Sequence, residues 1–198
     1  MKKIYEGAEA EIFLCKINGV KQILKKRKNK NYRESILDKN IIKQRMRKEI
    51  KMYDRFNNIG LIAPRVYNTD LDKQEIYMTY FDSKSFKKAI SKDKNKIKLL
   101  GKDVAKMHNN KLVHGDITLE NVLFDEKNNK PIFIDFGLSS VSAKIENYAT
   151  DVFVFKETLL ADFDESYWNL FIAEYFKNID NKDVEKRLEK VEKRRRNM

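Results

Sequence analysis

Apolar and polar residues alternate at the start of the chain. The alternation predicts strands over residues 2–6 and 10–17, with Ile4, Ile12 and Leu14 among the apolar positions. Asn18-Gly19 interrupts the pattern, and Val20 to Lys26 resumes it. An Asn-Gly pair between two strand-like runs is the strongest short hairpin signal. Residues 27–33 read as a basic loop. From about Ser35 to Phe56 the period is helical, since Ile36, Ile41, Ile42, Met46, Ile50 and Tyr53 recur at three- to five-residue steps. Asn57-Asn58-Ile59-Gly60 stops that helix. Two short strands are expected near 65–69 and 75–80, joined by Asp70-Leu71-Asp72-Lys73.

The second half is mostly helical. Residues 93–110 carry Ile97, Leu100, Val104 and Met107 on one stripe, whereas 111–121 have no clear period. Short strands are expected at 122–124 and 131–134, around a polar turn from Asp125 to Lys130. Residues 148–161, 164–177 and 180–196 read as helices, the last with only Val184, Leu188 and Val191 as an apolar stripe. The 164–177 stretch carries Tyr167, Trp168, Phe171, Tyr175 and Phe176, more rings than one buried stripe needs, which predicts an exposed aromatic patch for a protein partner. The layout predicts an α+β fold. A small antiparallel-sheet lobe (1–81) precedes a reduced helical lobe (82–181) and a basic C-terminal helix or tail (182–198), all within a single domain over 1–198.

Composition narrows the class. Of 198 residues, 41% are hydrophobic and 36% charged, with 6 Gly and 2 Pro, which excludes collagen-like and Pro/Gly-rich disordered chains. No run approaches the ~18 apolar residues of a membrane span. The opening Met1-Lys2-Lys3-Ile4 lacks the apolar core of a signal peptide, so a cytoplasmic protein is expected. The lone Cys15 excludes an intramolecular disulfide and a multi-cysteine zinc site. The net charge of +12 is unevenly placed: residues 16–55 hold 15 Lys/Arg against 4 Asp/Glu, and 182–198 hold 8 against 4. Such focused charge suits a polyanion, and nucleic acid is the one expected, with segments 21–33 and 193–196 as the contacts.

The sharpest chemistry lies in His114-Gly115-Asp116-Ile117-Thr118-Leu119-Glu120-Asn121, followed nineteen residues after Asp116 by Asp135-Phe136-Gly137. Phosphoryl transfer needs one carboxylate at the attacking oxygen and hard oxygen ligands for Mg²⁺. Asp116 suits the base; Asn121 and Asp135 suit the metal. A lone Asp-Phe-Gly is usually just a turn; the whole constellation is far more specific. His114 reads as structural. A cation for the phosphates is found in Ile23-Leu24-Lys25, where alternation puts Ile23 and Lys25 on one face. Lys26 would serve only if the strand slipped by one residue. Glu49 lies on or beside the apolar stripe of the following helix and is the carboxylate expected to orient Lys25. The turn Glu6-Gly7-Ala8-Glu9-Ala10 would cover the nucleotide.

These residues resemble the eukaryotic-type protein kinase superfamily. The sequence is most similar to the atypical kinase subunit of the KEOPS complex (the Bud-type, p53-related kinase family, close to the Rio kinases). Gly7-Ala8-Glu9-Ala10, Ile23-Leu24-Lys25-Lys26-Arg27, Lys30-Asn31-Tyr32-Arg33, Leu37-Asp38, Arg45, Glu49, His114-Gly115-Asp116-Ile117-Thr118, Asn121, Ile134 to Leu138, Val141-Ser142, Glu146 and Asp151 carry the likeness. The resemblance implies ATP and Mg²⁺ as cofactors. It implies catalysis by Asp116 and Lys25, and metal ligation by Asn121 and Asp135. It implies nucleotide contacts from Gly7, Ala8, Ile12, Ile23, Lys25, Glu49, Met78, Thr79, Phe81 and Leu123, with the hinge running through Tyr80. Thr79 stands where the family commonly has Glu, and Leu119-Glu120 replace its usual small polar pair. Gly115 replaces the Arg that reads an activation-loop phosphate, and no Ala-Pro-Glu follows Gly137. The resemblance further implies an atypical serine/threonine kinase with ATPase activity, acting with the large catalytic subunit and small accessory subunits of KEOPS to form threonylcarbamoyladenosine on tRNA. A free-standing serine/threonine protein kinase is the alternative. A small-molecule kinase would want a large helical insert, and a dead kinase fold would not keep Lys25, Glu49, Asp116, Asn121 and Asp135 together.

Overall fold

The computed structural model describes residues 1–28 and 35–196, with side chains for all of these except 35–39 and 196. The expected contributions of Lys30 to Glu34, Leu37, Asp38 and Arg196 therefore lie outside the described residues.

The first half is a five-stranded antiparallel sheet built from β1 (Lys2–Glu6), β2 (Ala10–Ile17), β3 (Val20–Arg27), β4 (Val66–Asp70) and β5 (Glu75–Thr79), in the order β1-β2-β3-β5-β4. The β2–β3 turn is the Asn-Gly pair, with φ of 49° at Asn18 and 83° at Gly19. Positive φ at both central residues matches the right-handed twist of the flanking strands. Helix α1 (Ser35–Asn58) follows β3 and buries Ile42, Met46, Tyr53 and Phe56 along one stripe. Glu49 is on that stripe and wholly buried, so the backbone puts a carboxylate into the core beneath β3.

The second half holds β6 (Lys84–Ser85), α2 (Phe86–Lys92), α3 (Lys96–Asn109), β7 (Leu112–Val113), β8 (Val122–Asp125), β9 (Lys130–Phe133), β10 (Ser140–Val141), α4 (Ile145–Leu160), α5 (Glu165–Asn178) and α6 (Asp183–Arg196). Strands β6-β8-β9 form one small sheet and β7-β10 another. Helix α3 packs against α5 and α4 against α6. The α3–α5 approach is close enough that a Cβ at Gly101 would lie 2.5 Å from the Phe171 carbonyl oxygen. Among the described residues no helix is long and apolar enough to cross a membrane.

Three expectations change. Arg27 ends β3 instead of opening a loop. Helix α2 has no counterpart in the periodicity, because seven residues offer only Phe86, Ala89 and Ile90 as buried positions. The rings of α5 do not form an exposed patch: Trp168, Phe171 and Tyr175 are buried, while Tyr167, Leu170, Ile172 and Phe176 are partly buried against the core. The apolar side chains that do stand exposed are elsewhere, among them Ile4, Tyr5, Tyr67, Leu138 and Val141.

Candidate active site

Strand β3 and helix α1 bring three charges into contact. Lys25 is 5% exposed, and its Nζ donates to Glu49 Oε1 at 2.7 Å and to Asp135 Oδ1 at 2.8 Å. Burial alone would lower the Lys25 pKa, but the Glu49 and Asp135 carboxylates outweigh it and hold the ammonium charged. Burial likewise opposes the charged form of Glu49, and Lys25 and Arg27 overcome it, so its pKa lies below the ordinary value. Tyr53 Oη donates to the same carboxylate at 3.1 Å. Neighbouring Lys26 points the other way, exposed and 3.5 Å from Glu75, so the register selects Lys25.

Asp135 follows β9 in left-handed backbone, with φ of 59°. Its Oδ1 also accepts the Gly137 N–H at 3.2 Å. Phe136 turns inward and anchors this bend. Its ring centroid lies 4.8 Å from Tyr53, 4.3 Å from Phe56 and 5.1 Å from His114. One buried ring thus fixes the bend at Asp135 against both α1 and the loop that carries Asp116. On that loop Asn121 Nδ2 donates to the Asp116 backbone oxygen at 3.0 Å and to its Oδ2 at 2.9 Å. The Ile134 N–H donates to the Asn121 carbonyl at 3.0 Å, which ties Asn121 to the residue before Asp135. With its amide nitrogen committed to Asp116, the atom Asn121 has left for a cation is Oδ1.

Most of the remaining expected residues lie on the five-stranded sheet or next to it, and Leu123 lies on the smaller one. Ile12 pairs across from Lys25, and Ile23 across from Met78. The Thr79 N–H donates to the Arg65 carbonyl at 2.9 Å, and its hydroxyl accepts the Arg65 N–H at 3.1 Å. Phe81 follows β5 and is partly buried. Gly7 and Ala8 form the β1–β2 turn, closed by the Gly7 N–H on the Ala10 carbonyl at 2.9 Å. Leu123 lies on β8, partly buried, opposite Ile132.

Sequence reasoning named Arg27 and Asp151 in the family likeness but gave neither a role. Arg27 is 6% exposed and its Nη2 donates to Glu49 Oε2. Alternation from Ile23 through Lys25 points to Arg27 on the same face, but its basic neighbours hid that signal. The second is Asp151 on α4, which accepts the His114 N–H and the Gly115 N–H at 2.8 Å each and lies 3.4 Å from His108 Nε2. No local pattern shows that a carboxylate holds backbone N–H groups 37 and 36 residues earlier. Gly115 has φ of 83°, and a Cβ there would sit 2.5 Å from the Leu138 carbonyl oxygen, which accounts for glycine at this position.

His114 Nε2 lies 3.2 Å from the Ile134 carbonyl, and Nδ1 is buried without a partner, so the neutral ring donates through Nε2. Burial depresses its pKa below 6.5. Its contribution to stability is full above pH 6.5 and is lost as pH falls toward the folded pKa. Asp103 acts oppositely, because burial raises its pKa from 3.8 to about 6 and the folded state gains protons in that window. The Asp103→Asn variant should therefore lose urea resistance steadily from pH 7 to pH 5, with the slope removed by adding His114→Phe. A flat profile in Asp103→Asn alone would contradict this assignment.

The protein kinase domain family matches residues 1–161. A probable bifunctional tRNA threonylcarbamoyladenosine biosynthesis protein of Methanosphaera stadtmanae is 35% identical over 197 residues; the match covers 96% of this chain and 36% of that protein, so the chain spans little more than a third of its length. The EKC/KEOPS complex subunit BUD32 of Enterocytozoon bieneusi is 31% identical, with 98% of this chain and 97% of that one covered. Among solved structures, the Rio2 kinase of Chaetomium thermophilum, crystallised as an ADP/Mg²⁺-phosphoaspartate complex, shares the fold at a TM-score of 0.66 and 16% identity, over 98% of this chain and 70% of that one. The site geometry and the near end-to-end match with BUD32 lead to one conclusion: the chain belongs to the protein kinase family, as an atypical kinase of the Bud32 type.

Proposed function

We propose that this chain is the Mg²⁺-ATP-dependent atypical kinase and ATPase subunit of a KEOPS complex that supports threonylcarbamoyladenosine formation on tRNA in the cytoplasm. The observation that carries the enzymatic part is Lys25 held between Glu49 and Asp135, with Asp116 and Asn121 joined on the adjoining loop. The donor set fits the cofactor: a carboxylate and an amide oxygen are the hard ligands Mg²⁺ prefers, and an ammonium kept charged suits phosphate. Asp135 and Asn121 would hold the metal and Lys25 the phosphates. Held there, the metal would supply charge neutralisation to the phosphates. Asp116 accepts the proton of the attacking hydroxyl or water as that oxygen bonds to phosphorus and the bond to the ADP oxygen breaks. Glu49 keeps Lys25 aimed, and Phe136 keeps Asp135 in place.

The complex and the tRNA come from the names of the relatives. ADP formation from Mg·ATP should rise when the large catalytic subunit and tRNA are both added. A rate indifferent to both would favour the free-standing protein kinase.

The basic segments support tRNA contact unevenly. Lys25 and Arg27 are buried and committed to carboxylates, and Lys28 lies 2.5 Å from Glu6. On α6, Val184, Leu188 and Val191 are buried, and Arg194 and Arg187 both engage Glu146. Lys193 and Arg195 are exposed. Replacing these two with Ala should flatten the slope of log tRNA affinity against log salt by about 1.4–1.8 if both touch phosphate. An unchanged slope would remove α6 from the RNA contact.

A further inference from the structure

Five charges alternate in sign from the β1–β2 turn to the metal loop: Glu9, Arg27, Glu49, Lys25 and Asp135. Arg27 stands second, between the Glu9 and Glu49 carboxylates. Its Nη1 lies 3.6 Å from Glu9 Oε2, and its Nη2 donates to Glu49 Oε2. The same Nη2 is 3.5 Å from where a Cβ would stand on Gly137, so the guanidinium lies over the metal-loop bend. Its Nε is buried without a partner, so the planar fork, and not full satisfaction of its donors, sets where the group lies. Three segments distant in the chain thus meet on one buried side chain. Backbone bonds reinforce the meeting: Arg27 pairs across from Ala10, and the Lys28 N–H donates to the Glu9 carbonyl at 3.0 Å.

We propose that Arg27 is a positioning residue that couples the turn covering the nucleotide to the Lys25–Glu49 pair. The inference rests on the reading of this cleft as the nucleotide site. The turn has a single glycine, Gly7, and in place of others it offers Glu9 as a handle. A guanidinium can hold two carboxylates at once in fixed geometry, whereas an ammonium is a point charge and cannot reproduce the fork. Glu49 carries two cations, so when Lys25 turns to phosphate its carboxylate stays anchored by Arg27. Arg45 also reaches Glu9, at 3.3 Å, but from the exposed surface, where ion pairs contribute little.

The test is a double-mutant cycle in the full chain with Glu9→Gln and Arg27→Lys, reading Mg·ATP affinity by calorimetry together with KM and kcat. Each single change should weaken affinity and raise KM with kcat within about twofold. The double variant should be about threefold or more tighter than the product of the single effects predicts. Independent effects would overturn the proposal. Amide exchange of residues 7–10 in the nucleotide-free protein gives a second readout. It should quicken in Glu9→Gln, which leaves the core untouched, and in Arg27→Lys; unchanged exchange in both would also overturn the coupling. If the wild type binds no Mg·ATP, the reading of the site fails, and the exchange measurement still decides the coupling.

Discussion

Asp135→Ala is expected to abolish Mg²⁺-dependent ATP turnover. Asp135 supplies the one carboxylate among the two proposed metal ligands, and losing charge stabilisation of this kind costs about 10²–10³ in rate or more. The alanine variant also places a Cβ-bearing residue without a side-chain hydrogen bond at φ of 59°. Asp135→Asn separates the two effects, because Asn tolerates left-handed backbone and keeps the shape while removing the charge. Turnover should fall at least about 100-fold in both variants, with the thermal midpoint of Asp135→Asn near that of wild type. Wild-type turnover in Asp135→Asn would mean that this carboxylate holds no metal.

The second large effect is on stability. Glu49 is fully buried and holds the buried ends of Lys25 and Arg27. In Glu49→Ala, Lys25 keeps Asp135, but Arg27 keeps only Glu9, 3.6 Å away and half exposed. Breaking a buried pair from one side leaves an uncompensated charge and costs about 3–5 kcal/mol. Urea unfolding should show a loss of that order. Glu49→Leu combined with Arg27→Met should recover much of it, since removing both charges removes the desolvation penalty too. A loss under about 1 kcal/mol in Glu49→Ala would mean that the triad is solvated.

The chemistry was more legible than the packing. Spacing singles out Asp116, Asn121 and Asp135, and strand alternation singles out Lys25; the fold joins Lys25 to Asp135 and Asn121 to Asp116. The sheet followed from alternation and from the Asn-Gly turn. The role of Arg27 escaped because a buried cation looks, in one dimension, like any member of a basic tract. The role of Asp151 escaped because its partners are backbone N–H groups of His114 and Gly115, which no side-chain pattern encodes. The α5 rings misled for a related reason. Periodicity counts the apolar positions on a helix but does not say how much of its circumference the neighbours cover, and α5 turns its largest rings inward while its other apolar side chains still pack partly against the core.

The central claim is that Asp116 acts on the attacking oxygen of an ATP-dependent transfer in this cleft. The most direct measurement is ADP release from Mg·ATP by the full chain, with nucleotide affinity measured on the same samples, for wild type and Asp116→Ala. Asp116 bonds to Asn121 and not to Lys25, so its loss should spare binding. Turnover should fall about 10²–10⁴-fold with affinity within about twofold of wild type. Equal turnover in the two proteins, or affinity and turnover falling together, would contradict the account.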